Sequence, residues 1–178
     1  MSPHAAATAA HLTLPAPAPL ELPELVALTR RYADEVRAGR HRVVVDPARR
    51  WYNLLRSDDT VDVWLITWAT EQFAELHDHG DSRGAFTVVR GALTEDRWLP
   101  ARSALRSRSI TADRSVDFGL GYVHEVSNPA AEPAVSVHAY SPPLTEMSYY
   151  AVDPSPGGSR LRRTSTTYTG PGSSEGVG

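Results

Sequence analysis

Four of the seven histidines, His77, His79, His124 and His138, stand in runs rich in Val, Thr and aromatic residues. In His77-Asp78-His79 two imidazoles are two residues apart, and alternate side chains of an extended strand share a face. One metal ion bridges that separation if the face is interior; otherwise the tripeptide reads as a polar loop. Gly121-Tyr122-Val123-His124-Glu125-Val126-Ser127-Asn128 supplies a third imidazole after 44 intervening residues, enough for a few strands to return the chain to the same interior. The alternative for His124 is a core histidine satisfied by a backbone carbonyl. Three neutral imidazoles with open positions suit Fe(II), Zn(II) or another first-row metal. The remaining His4, His11 and His41 lie in or near terminal and helical segments and are given no role.

Composition narrows the chemistry further. The chain has 178 residues, a net charge of −3 and no cysteine, and all 18 basic residues are arginine. No disulfide, zinc finger, iron–sulfur ligation or thiolate nucleophile is available. Without lysine there is no Schiff base and no phosphate loop ending in Gly-Lys-Ser/Thr. Arginine-only basicity fits the codon usage of a GC-rich, bacterial genome. No basic stripe stands out against the 21 acidic residues, so no nucleic-acid partner is expected. No apolar run reaches the roughly 18 residues that span a bilayer, and the Ala-rich start lacks the regions of a signal peptide. The expected location is the cytoplasm, with no membrane partner.

The histidines need a scaffold, and the sequence indicates one. Residues 1–20, rich in Ala and Pro, are expected to be a disordered arm. Leu22, Leu25, Val26, Tyr32 and Val36 recur near a 3.6-residue period and predict an amphipathic helix over about 21–38. β-rich runs follow at Val43–Val45, Val61–Trp68, Ala85–Val89, Ala92–Trp98, Val116–Phe118, Tyr122–Val126 and Ala134–Tyr140, with a last strand over 159–168. Gly91 should supply the positive φ of a tight connection, and Pro142-Pro143 should end the strand that holds His138. Many short antiparallel strands predict a sandwich or barrel, with one domain over 21–168 and a flexible tail over 169–178.

His77-x-His79 with Gly91 twelve residues on resembles the first cupin motif, and Gly121, His124 and Asn128 resemble the second. Where the first motif commonly carries a glutamate ligand, this chain has Arg83 and Gly84, so a three-histidine site is expected. The fold implied is mainly β, a cupin double-stranded β-helix barrel with an N-terminal helix. Leu76-His77-Asp78-His79-Gly80-Asp81-Ser82 and Pro133-Ala134-Val135-Ser136-Val137-His138-Ala139-Tyr140-Ser141-Pro142-Pro143-Leu144 resemble the signatures of cysteine dioxygenase. That resemblance covers about residues 50–150. It implies that His77, His79 and His124 bind Fe(II), that Tyr140 points its hydroxyl at substrate or dioxygen, and that His138 and Ser136 orient Tyr140. The cysteine that animal members crosslink to this tyrosine is replaced by Gly84, so Tyr140 works uncrosslinked.

Family members anchor the substrate carboxylate through an arginine in a Tyr-x-Arg segment, which is absent here. In Arg49-Arg50-Trp51-Tyr52-Asn53-Leu54-Leu55-Arg56 the first candidate is Arg50, with Arg56 and Asn53 behind it. The reaction implied converts a small thiol, L-cysteine first, with O2 to its sulfinic acid, by a protein expected to be a monomer. Alternatives are 3-mercaptopropionate, a cysteamine-like amine or an ergothioneine-like thiol-imidazole, for which Trp51, Tyr52, Trp64 and Trp68 would line a roomier pocket or else serve as core. Other classes are a non-catalytic small-molecule-binding cupin and a zinc-dependent isomerase or hydrolase. Gly80-x-Ser82-x-Gly84 also matches a hydrolase elbow, but a β-rich run follows it where a helix is required.

Overall fold

A computed structural model describes residues 17–156 and 158–168. Most of the expected arm, the tail, His4 and His11 lie outside the described residues. Helix α1 (Leu22–Arg37) is followed by β1 (Tyr52–Ser57), β2 (Asp62–Trp68), β3 (Phe73–His77), β4 (Arg83–Arg90), β5 (Ala92–Leu99), β6 (Ala104–Thr111), β7 (Ser115–Phe118), β8 (His124–Ser127), β9 (Ala134–Ser141), β10 (Glu146–Asp153) and β11 (Arg160–Tyr168). One antiparallel sheet runs β1-β2-β9-β4-β7 and the other β11-β10-β3-β8-β5-β6. Trp68, Phe86, Val88, Val116 and Phe118 of the first meet Leu93, Ile110 and Val126 of the second in one buried cluster, so the sheets enclose an apolar interior. This is the mainly β barrel with a helix on its N-terminal side that the cupin motifs imply.

Alternation along the strands separates two faces. Val63, Leu65, Val135, Val137 and Ala139 face outward and pack with Leu25, Ala33 and Val36 of α1, while Trp68, Phe86 and Tyr140 face inward. The helix starts at Pro23 in its first turn and a Glu24 carboxylate that accepts from the Glu21 N–H at 2.8 Å. Its buried Thr29 hydroxyl pairs with Thr87 of β4 at 2.8 Å, which satisfies two polar groups beneath the helix. The last residue of the expected arm is tied down as well, because the Leu20 N–H donates to Ser141 Oγ at 2.8 Å.

Gly91 carries the chain from one sheet to the other at φ +75, and a Cβ there would stand 3.0 Å from the Pro133 carbonyl. Strand β9 ends at Ser141, before the two prolines. Val43–Val45 is not a strand: the Val44 and Asp46 carbonyls accept from the Thr67 hydroxyl and the Gln72 amide, so side chains take the places a ladder would need. β8 begins at His124 rather than Tyr122, whose N–H closes a turn on Gly119. β1, β3, β6 and β10 were not anticipated; β6 lies at a sheet edge and exposes most of its Arg and Ser side chains on both faces, so it lacks apolar alternation.

Candidate metal centre

The sheet brings the three histidines together by register. His77, the last residue of β3, lies directly opposite His124, the first of β8. His79 arrives from two residues beyond the end of β3, so the pair shares a face without both members lying on a strand. Asp78 between them points away, its carboxylate accepting from the Tyr150 hydroxyl at 2.5 Å and the Gly80 N–H at 3.1 Å. The His77 and His79 Nε2 atoms are 3.1 Å apart, and one nitrogen from each of the three rings falls within 4.8 Å of the others. All three side chains are buried, at 4%, 3% and 2% exposure.

Two tautomers are set by neighbours. His77 Nδ1 donates to the Glu75 carbonyl at 2.5 Å, and His124 Nδ1 donates to the Glu95 carboxylate at 2.9 Å. Each leaves Nε2 with its lone pair available, as a metal ligand requires. Burial pulls the His77 pKa from 6.5 to about 3, with His124 adding to the effect. Burial likewise takes His79 and His138 well below the ordinary value. Neutral, convergent imidazoles without cysteine or carboxylate in the first layer suit a first-row divalent ion, so the residues present fit the iron of the sequence resemblance.

Beside the cluster, β9 presents Ser136, His138 and Tyr140 on its inward face. The Trp68 indole N–H donates to Ser136 Oγ at 2.8 Å, and Ser136 Oγ lies 2.9 Å from His138 Nε2. Ser136 therefore has its hydroxyl proton left for Nε2, and His138 Nδ1–H faces the Tyr140 oxygen at 3.4 Å. That direction of donation leaves the Tyr140 proton free to point into the site. Phe86 stacks on His138 at 5.0 Å, and the Tyr140 ring lies 5.0 Å from that of His79. Burial pushes the Tyr140 pKa well above its ordinary value, partly offset by the Arg50 charge, so its hydroxyl stays protonated.

Arg50 joins this group. Its guanidinium lies over the Trp68 ring at 5.0 Å and donates to the Phe73 carbonyl at 2.9 Å, and its charge acts on His77, His138 and Tyr140. Arg56 and Asn53 are not brought there. Asn53 pairs with Leu65 and Arg56 with Val63, both of which face outward under α1, and Arg56 is held by Asp58 at 2.7 Å. Trp64 and Trp68 do face the interior, and Tyr52 meets Trp64 edge to face, whereas Trp51 packs on the outer cluster. Asn128 ties the end of β8 through its amide to the Trp68 and Glu132 carbonyls. Ser82 is followed by β4, so the elbow geometry is absent. Glu95 and Tyr122, which flank His124, and Arg108, which holds both of them, were not singled out from the sequence; the one signal was a charged residue at an inward-facing position of a predicted strand.

Barrel and histidines together define a cupin with a candidate three-histidine metal site. Residues 6–152 match the cysteine dioxygenase type I family, and the chain belongs to it. Cysteine dioxygenase type 1 of Danio rerio is 30% identical over 114 residues, which cover 58% of this chain and 51% of that protein. The chain thus spans about half the length of that relative. Among solved structures, a protein of Thermus thermophilus matches with a TM-score of 0.50 at 15% identity, over 57% of this chain and 90% of its own. A Klebsiella pneumoniae protein with a double-stranded β-helix domain matches with a TM-score of 0.50 at 17% identity, over 56% and 78%. These two likenesses concern the fold alone.

Proposed function

We propose that this chain is a non-haem Fe(II) thiol dioxygenase that converts a small thiol carboxylate, L-cysteine first, to its sulfinic acid, acting in the cytoplasm as a monomer. The observation that carries this reading is the buried three-imidazole cluster flanked on one side by the Ser136–His138–Tyr140 strand. Family membership supports the class of reaction.

His77, His79 and His124 would hold the iron, which when bound supplies a site for the thiolate and for dioxygen. The reaction balances without a further reductant: RSH + O2 gives RSO2H, the sulfur losing four electrons and dioxygen gaining them. Three neutral ligands would leave the double positive charge of such an ion available to an anionic sulfur. Arg50 takes the substrate carboxylate, its guanidinium being held by the Phe73 carbonyl and the Trp68 face. Tyr140 donates its hydroxyl proton toward the reacting atoms, oriented by His138 and, through it, Ser136. Burial of these groups keeps water from competing with the hydrogen bonds.

The test is anaerobic loading with iron followed by a panel of L-cysteine, 3-mercaptopropionate, cysteamine and ergothioneine, with oxygen uptake and sulfinate measured together. Thiol-dependent uptake with matching sulfinate is expected, fastest for a carboxylate-bearing thiol. No uptake with any member contradicts the proposal, and zinc in the native protein with indifference to oxygen would favour hydrolytic or isomerase chemistry.

A further inference from the structure

The geometry points to Glu95 as the residue that positions His124 for metal binding, with Arg108 tempering the charge that Glu95 brings to that ligand; this rests on the metal-centre reading of the three histidines. Glu95 is fully buried, and an isolated buried carboxylate is expensive unless its oxygens are satisfied. Here both are. Oε1 accepts from His124 Nδ1 at 2.9 Å and from the Tyr122 hydroxyl at 3.1 Å, and Oε2 accepts from Arg108 Nε at 2.5 Å.

Sheet register makes the arrangement. Glu95 of β5 lies directly opposite Arg108 of β6, and two residues on, Arg97 lies opposite His124 of β8. The carboxylate thus sits diagonally from the histidine, within reach of its outer nitrogen. Tyr122 is clamped in turn, with Arg97 over its ring at 4.2 Å and Arg108 on its hydroxyl at 3.2 Å. The first cupin motif commonly carries a glutamate that binds metal; this glutamate instead stands behind a ligand.

Two effects separate. Any acceptor at position 95 keeps the proton on Nδ1 and turns Nε2 toward His77 and His79. Only a carboxylate adds negative charge to the ring and raises its donor strength, and Arg108, whose side chain is 47% exposed, withdraws part of that charge. Glu95→Gln keeps the acceptor and loses the charge, Glu95→Ala loses both, and Arg108→Gln leaves the carboxylate uncompensated.

The experiment uses the full chain. Affinity is measured for Fe(II) and Co(II) by competition with a chromophoric chelator, and the Fe(III)/Fe(II) potential is measured by titration. Glu95→Ala should lose roughly 10–100-fold in metal affinity, while Glu95→Gln stays much nearer to the wild type. Glu95→Gln should shift the potential upward and Arg108→Gln should shift it downward, opposite signs that a merely structural role would not produce. If Glu95→Ala fails to fold, the other two variants decide by their potentials. Wild-type affinity in Glu95→Ala, or unmoved potentials in both other variants, overturns the inference alone. A wild-type chain that binds neither ion overturns the metal-centre reading and this inference with it.

Discussion

The Phe118 ring occupies the space that a side chain at Gly84 would need. A Cβ built on Gly84 would stand 2.4 Å from Phe118 Cε2 and 2.8 Å from the Ala139 carbonyl oxygen. Gly84 lies opposite both Tyr140 and Phe118 in the sheet, and Phe118 stacks on His79 at 4.7 Å. In this chain an aromatic ring, touching both a candidate ligand and the candidate catalytic tyrosine, fills the place where a crosslinking cysteine would sit.

Gly84→Cys should therefore not install a thioether to Tyr140. Overpacking against Phe118 should cost about 1–3 kcal/mol, read as a drop in Tm, and intact mass should show no loss of two hydrogens after turnover. A stable variant with the crosslink would contradict the packing argument.

Arg50→Gln should raise KM for L-cysteine and 3-mercaptopropionate by roughly 10–100-fold, the worth of about 1.5–3 kcal/mol for hydrogen bonds to a charged group. KM for cysteamine, which has no carboxylate, should change little. Equal losses for all three thiols would remove Arg50 from substrate binding. Arg56→Gln serves as the comparison, since its partner is Asp58.

Tyr140→Phe should keep iron bound, because the hydroxyl touches His138 and not a candidate ligand nitrogen. Turnover should fall roughly 10²-fold, the usual size of a lost proton donor. Full activity would show that the hydroxyl does not act on the reacting atoms.

Stability of the metal-free chain should fall with acid. His77 binds its proton near 6.5 when unfolded and only at about 3 when folded, because burial disfavours the cation. Between those values the unfolded state holds more protons, so unfolding free energy decreases as pH falls through that window, and His79 and His138 act in the same sense. Urea midpoints at pH 7.5, 6 and 5 test this, and an unchanged midpoint would mean that the rings are not buried neutral.

The candidate catalytic face was readable because its signal is local. Ser136, His138 and Tyr140 repeat every second residue on one strand, and the strand puts all three inward. His77 and His79 were readable for the same reason. The choice between Arg50 and Arg56 was not: residues 50, 52, 54 and 56 would share a face on a regular strand, but an irregularity between Leu54 and Arg56 turns Arg56 to the outer side. Glu95 was hidden because its three partners come from β6, β8 and the turn before β8, an adjacency created only by sheet order. Val43–Val45 misled through β-propensity, which reports fit to a packed pleated surface rather than a backbone preference.

In the proposed reaction both atoms of dioxygen end on the substrate sulfur. Iron-loaded protein supplied with L-cysteine and 18O2 tests it by mass spectrometry of the product. A sulfinate in which both sulfur-bound oxygens carry the label is expected; a product with one labelled oxygen or none, or thiol consumption ending in disulfide, would overturn the dioxygenase reading.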